Sequence, residues 1–266
     1  MAIHQVPLNF VPGSRWACLR DLCGYDEQSV SGTGTLDAIR LLDQMLVEEP
    51  GTEMGPGKAK QLTTADRDRL LAGIYMDNYG TCIESTIHCE NCQDPVEMDF
   101  SLEKLINHLY SNTGAVKLEK DANGVFKLAN GTRFRLPNGQ DECEVLGLPP
   151  EEAEHVLLER CIMDDNSNQS RESAQKIMKQ VAPVLDLDLP ARCPGCQTQQ
   201  TVHFDIQYYL LTTILQEQKH FTMEVHRLAC AYGWSLNEIL QLPRRSRKAF
   251  VGLVESEISS TTGRSL

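Results

Sequence analysis

Two Cys-x-x-Cys pairs constrain this chain more than any other feature. They are Cys89-Glu90-Asn91-Cys92 and Cys193-Pro194-Gly195-Cys196, with 100 residues between Cys92 and Cys193. A short extended segment leads into each pair. Alternating apolar residues follow, Val96, Met98 and Phe100 in the first and Val202 and Phe204 in the second. Each then enters a helical pattern, LEKLINHLY or IQYYLLTTILQE. A Cys-x-x-Cys at a hairpin tip is a zinc knuckle, and two facing knuckles supply four thiolates to a tetrahedral Zn²⁺. Cys89, Cys92, Cys193 and Cys196 are the expected ligands. Four protein ligands leave no position open for water, so the expected site is structural. Pro194-Gly195 is good turn chemistry, and Asn91 is expected to take a left-handed backbone angle in the first knuckle. His88 and Cys82 are the nearest rival ligands. A redox Cys-x-x-Cys opens a helix in a βαβ setting, which neither pair has. Ordinary zinc ribbons separate their pairs by about 15–20 residues. Here the metal would close a much longer loop, tying a central insertion to a frame.

The chain has 266 residues and ten cysteines. No apolar run approaches the roughly 20 residues that span a bilayer. The N-terminus, MAIHQVPLNFVPGSR, lacks the charged and apolar regions of a signal peptide. Residence in the cytoplasm is expected, where cysteines favour metal binding or burial over disulfides. Cys18, Cys23, Cys143, Cys161 and Cys230 have no paired spacing and read as buried small hydrophobes.

Periodicity predicts an α+β chain, mostly helical, with a split zinc ribbon and a small β-hairpin insertion. Residues 1–62 hold one helix over 35–47, with Leu36, Ile39, Leu42, Met45 and Leu46 on its apolar face, and a Gly-rich connector over 51–61. Residues 63–112 and 185–218 form a helical frame around the ribbon. Its first helix is capped by Thr63 or Thr64 and stopped by Tyr79-Gly80. Residues 113–184 form the insertion. Asn123-Gly124 and Asn130-Gly131 turn its strands, and helices follow over 150–161 and 171–181. Residues 219–258 read as three helices, broken at Tyr232-Gly233-Trp234, with a capping box at Ser235 and Glu238. Residues 259–266 are expected to be disordered.

The C-terminal unit has a helix-turn-helix outline, and Arg244, Arg245, Arg247 and Lys248 cluster on its third helix. DNA contact by a zinc-ribbon regulator is therefore one alternative. The net charge of −12 opposes it, because the mean field repels phosphate. Basic residues at a helix N-terminus also oppose the dipole and call for an acidic partner. Trp234 has two readings, a plug for a small core or an anchor for a partner protein. His220 and His226 miss the i, i+4 spacing of a helical metal pair, and GTGTL at 32–36 lacks the lysine of a phosphate loop. No nucleophile stands with a base, and no small-molecule substrate is indicated.

Several stretches occur in a recognisable order: RDRLLAGIYMDNYG, IHCENCQDPVEMDFSL, FRLPNGQDE, CPGCQTQQTVHFDI and EVHRLACAYGWSLNEILQLPRRSRKAFVGLVE. Together they resemble the T4-type bacteriophage baseplate protein family of contractile tails and contractile injection systems. The similarity spans about 16–255. It implies a structural or assembly role at the baseplate hub, with other tail proteins as partners and no membrane. It also implies metal ligation by Cys89, Cys92, Cys193 and Cys196, and work in the bacterial host during assembly.

Overall fold

The computed structural model describes residues 3–111, 118–164 and 168–262. Helices and strands are mixed in an α+β arrangement. An N-terminal antiparallel sheet joins β1 (Ile3–Pro7), β2 (Trp16–Arg20) and β3 (Leu46–Val47) in that order. Between β2 and β3 lie the short α1 (Gly24–Ser29) and α2 (Thr35–Met45). The inward face of α2 is Ala38, Ile39, Leu41, Leu42 and Met45. Leu36, expected on that face, is 45% exposed, and Leu41 takes its place at 1%. Ile39, Leu42 and Met45 are buried as expected, and the face widens to Ala38 and Leu41 instead of extending back to Leu36. Leu46, assigned to the helix by its pattern, begins β3.

Helix α3 (Thr64–Tyr79) is the axis of the main core. The Thr63 side chain caps it by accepting from the Asp66 amide, and Gly80 ends it at φ 99. Leu70, Leu71, Ala72 and Ile74 are all essentially buried, packed with residues of β2, α2 and the later helix α8 (Ile206–Tyr232). Two carboxylates on α3 also pin distant chain. Asp66, fully buried, accepts from the amides of Asn9, Phe10 and Val11 at 2.8, 2.9 and 3.0 Å. Asp68 accepts from the Leu185 amide at 2.8 Å.

Two hairpins follow the same plan. The first pairs β4 (Cys82–His88) with β5 (Pro95–Ser101) and leads into α4 (Leu102–Ser111). The second pairs β9 (Asp186–Arg192) with β10 (Gln199–Asp205) and leads into α8. Between them lies the insertion. It holds β6 (Glu119–Lys120), β7 (Val125–Lys127) and β8 (Arg133–Arg135), then α5 (Gly139–Glu144), α6 (Pro150–Cys161) and α7 (Asn168–Val181). The strands form a three-stranded antiparallel meander, one strand more than the expected hairpin, with positive φ at the turn residues Gly124 and Gly131. The 115–117 part of that expectation, and 165–167 of the break before α7, lie outside the described residues. The insertion has its own apolar centre, with Phe126 and Phe134 stacked at 5.3 Å beside Ile162, Ala174 and Val181.

The C-terminal part departs most from the sequence pattern. The boundary expected at 218/219 falls inside α8, which runs unbroken for 27 residues. No Gly or Pro lies within Ile206–Tyr232, so nothing in the backbone stops it. Its buried face passes from the main core at Leu210, Leu211 and Ile214 to a small C-terminal cluster at Leu228. Gly233, in the left-handed region at φ 69, ends it. The Ser235 capping box opens α9 (Leu236–Gln241), with the Glu238 side chain accepting from the Ser235 amide at 2.8 Å. Helix α10 (Arg244–Thr262) continues through 259–262, where disorder was expected; 263–266 lie outside the described residues. Among the described residues, no helix is long and apolar enough to cross a membrane.

Burial raises the Asp68 pKa to about 7 against the opposing pull of Arg67. A raised carboxyl pKa means that the folded state holds a proton the unfolded state releases. This group therefore costs stability as pH rises from about 4 through 7. Asp68→Asn keeps an acceptor for the Leu185 amide and removes that slope. Denaturant titrations across pH 4–8 are expected to show the variant gaining on the wild type by up to about 1.4 kcal/mol per pH unit.

Candidate metal centre

The two hairpins bring their tips together. In the first, the Cys89 amide donates to the Asp94 carbonyl at 2.9 Å, and the Gln93 amide donates to the Cys89 carbonyl at 2.9 Å. In the second, the Cys193 amide donates to the Thr198 carbonyl at 3.0 Å, and the Gln197 amide donates to the Cys193 carbonyl at 2.9 Å. Gln93 (φ 62) and Gln197 (φ 64) carry the left-handed angles, not Asn91 or the Pro194-Gly195 pair. Each loop must reverse just after its second cysteine to return to the partner strand. That requirement puts the positive φ on the residue following the motif.

The four sulfurs lie within 4.8 Å of one another. Sγ of Cys89 is 3.5 Å from that of Cys196, and Cys92 is 3.6 Å from Cys193. A tetrahedron with metal–sulfur bonds of about 2.3 Å has its sulfurs roughly 3.8 Å apart. The cluster therefore fits a four-coordinate soft divalent metal, and its closest contacts join the two knuckles. These separations are far beyond a disulfide bond of about 2.05 Å. Cys89 and Cys193 are buried, while Cys92 and Cys196 are half-buried. The rival ligands stand outside the cluster. His88 Nδ1 lies 3.1 Å from the Gln93 carbonyl oxygen, and Cys82 is exposed at the far end of β4.

Electrostatics favour a cation here. Hydrogen bonds from the side chain and amide of Thr198 lower the Cys196 pKa to about 5. At Cys92 an amide hydrogen bond from Asp94 favours the thiolate, but burial and the neighbouring sulfurs outweigh it and push the pKa up. One sulfur ionises readily while its neighbour resists, as expected for negative charges crowded without a cation.

Other residues support the cluster. Gln200 ties the hairpins together by accepting from the Glu90 amide at 3.0 Å and reaching the His88 carbonyl at 3.5 Å. Phe100 and Phe204 meet edge to face at 5.1 Å beneath the site. Tyr209 donates its hydroxyl to the Glu84 carbonyl at 2.7 Å. Every feature of the first hairpin recurs 104 positions later: strands 82–88 and 186–192, strands 95–101 and 199–205, and Phe100 and Phe204. Sequence reasoning found the four cysteines that cluster but missed Gln93 and Gln197. The shared string Cys-x-x-Cys-Gln was the available signal.

The remaining candidate residues turn inward. Arg244 and Arg247, expected to face a partner, are 5% and 0% exposed. Arg244 reaches Glu27 at 2.6 Å and Glu217 at 2.5 Å; Arg247 pairs with Glu27 and, at 3.2 Å, with Glu224. Lys248 also pairs with Glu224. Burial would raise the Glu224 pKa, but hydrogen bonds from Lys248 and Arg247 hold it below the usual carboxylate range. The acidic partner demanded by the helix dipole is therefore in the chain itself. Arg245 remains exposed. Trp234 is half-buried in the small C-terminal core, stacked on Tyr232 at 4.7 Å and edge-on to Phe250 at 5.0 Å. It fills that core, as the first of its two readings held.

Removing Arg247 leaves Glu27 and Glu224 buried with a charge missing. Arg247→Ala is expected to cost about 3–5 kcal/mol in denaturant unfolding. Exposed Arg245→Ala is expected to change stability by less than about 0.5 kcal/mol. At the cluster, Cys193→Ala and Cys89→Ala are expected to lose metal equally by elemental analysis and to lower the melting temperature equally. Chelation of the wild type should reproduce the effect. Comparison with protein-family models, curated proteins and solved structures finds no match.

Proposed function

We propose that the chain is a structural or assembly component of a contractile tail or contractile injection system baseplate, in its hub region. A zinc ion held by Cys89, Cys92, Cys193 and Cys196 as a split zinc ribbon scaffolds it. The observation that carries the reading is the ordered set of landmarks, from RDRLLAGIYMDNYG through both knuckles to the YGWSLNEIL ending. The geometry supports it in kind. The four-thiol cluster uses all its ligands to join one hairpin to another, which suits a scaffold rather than a catalyst. Its role would be to hold other tail proteins in the cytoplasm of a bacterial host during assembly. The burial of Arg244 and Arg247 in ion pairs lowers the standing of the DNA-binding alternative, because phosphate contact needs free basic side chains.

The test is affinity purification of the tagged, metal-loaded protein from cells assembling contractile tails, followed by mass spectrometry. Hub and wedge proteins are expected to co-purify in stoichiometric amounts, and less so with Cys193→Ala. Recovery of the protein alone, with tails assembling normally in a deletion strain, would sink the proposal.

A further inference from the structure

Two stretches that share no element with the metal cluster are built alike. They are Arg20-Asp21-Leu22-Cys23-Gly24-Tyr25-Asp26-Glu27 and Arg135-Leu136-Pro137-Asn138-Gly139-Gln140-Asp141-Glu142, common in the form Arg-x-x-x-Gly-x-Asp-Glu. Each runs from a strand end through a turn into a short helix. Arg20 donates to both carboxylate oxygens of Asp26 at 2.6 Å, and Arg135 to both of Asp141 at 2.5 and 2.8 Å. Each arginine also donates to the carbonyl of the next residue, at 3.0 and 3.2 Å. Each aspartate accepts from the amide three residues earlier, Cys23 at 2.9 Å and Asn138 at 3.1 Å. Those two residues have nearly identical backbone angles, φ −123 and ψ 175 against φ −124 and ψ 175.

Both stretches also hold the same kind of object. Cys23 forms an isolated antiparallel bridge with Pro243, and Asn138 forms one with Thr63. Pro243 and Thr63 each directly precede a long helix, α10 and α3. Before them stand Leu242 (φ −63, ψ 135) and Leu62 (φ −63, ψ 132), each closing a short helical turn. In the first turn of each receiving helix, an arginine engages the glutamate of the stretch: Arg247 with Glu27, and Arg67 with Glu142. The arginine is five residues after the leucine in both, and is 0% and 4% exposed. Even the close approach is shared. A Cβ on Gly24 would lie 3.0 Å from the Leu240 Cα, and one on Gly139 would lie 3.2 Å from the Lys60 Cα. Leu240 and Lys60 each sit two residues before the leucine.

We infer that 20–27 and 135–142 are two copies of one helix-docking socket. Its ligand is the start of an α-helix of the form Leu-x-x-x-x-Arg. The Arg–Asp pair shapes the socket, the glycine admits the incoming backbone, and the glutamate selects for arginine. Little else is common to the two ligand segments, LTTADR and LPRRSR, so those two side chains set the recognition rule. The sockets act crosswise: the N-terminal one holds the C-terminal helix, and the one in the insertion holds α3. This inference stands apart from the baseplate reading and from the metal.

Equivalence of the sockets can be tested at position 23, with purified full-length protein. The Asn138 side chain accepts from the Gln140 and Asp141 amides at 3.0 and 3.1 Å. Cys23→Asn should import that cap, although Cys23 is only 6% exposed. A melting temperature at or above both the wild type and Cys23→Val is expected. A Cys23→Asn protein less stable than Cys23→Val would overturn the inference, because an ordinary apolar position rejects the amide. Hydrogen exchange provides the second readout. Glu27→Gln should speed exchange at least tenfold over 244–250 and leave 64–70 unchanged, and Glu142→Gln should do the reverse. Acceleration of both segments together, or of neither, would also overturn it.

Discussion

Four sulfurs within 4.8 Å of one another cannot all carry charge without a cation, and the two hairpins that bring them together set where the segment between them starts and ends. The sulfurs come from hairpins 104 positions apart, so an ion bound there would fix where the intervening segment begins and ends. Closing a long loop is cheaper than it looks. Loop entropy grows only with the logarithm of length, so going from an ordinary ribbon spacing to 100 residues costs about 1.5 kcal/mol more. Structural zinc contributes about 10–16 kcal/mol in small peptides. A metal at this cluster would therefore let the chain carry a β-meander and four helices between its knuckles, with a second apolar centre around Phe126 and Phe134.

What could be read from sequence divides along physical lines. The four-cysteine cluster was legible because a metal site demands one residue type at a fixed spacing. Helix α3 was legible because both of its ends are chemical, a threonine cap and a glycine stop. The unity of α8 was not. Its apolar face changes partners midway, from the main core to the C-terminal cluster, and that change resembles a break when only periodicity is read. Most of the apolar face of α2 was legible, and only its first turn was not, where Leu36 is exposed and the face broadens to Ala38 and Leu41. The arginines of α10 looked like a surface patch because the carboxylate they share, Glu27, lies more than 200 positions away. The sockets were hidden likewise, their arginine and glutamate standing 220 and 75 positions apart. FRLPNGQDE was visible as a turn, but its likeness to RDLCGYDE matters only once each is seen gripping a helix.

Charge is distributed accordingly. Arg20, Arg67, Arg135, Arg244 and Arg247 each pair internally with a carboxylate. Guanidinium suits that task, because its planar fork matches a carboxylate with two hydrogen bonds and it is weakly hydrated. Each of these arginines takes a carboxylate inward with it, so the pairs cancel and leave the net charge of −12 standing. The field of such a charge steers association toward basic surfaces and away from nucleic acid.

The 27 residues of α8 begin at the strand that follows Cys196 and end beside Trp234. At 1.5 Å per residue the helix is about 40 Å long. It runs unbroken from the main core at Leu210 to the C-terminal cluster at Leu228. A tilt of about 10° at the end near the sulfur cluster would sweep the far end through about 7 Å. Torque applied at the sulfur cluster would thus reach the C-terminal helices as a displacement larger than a side chain.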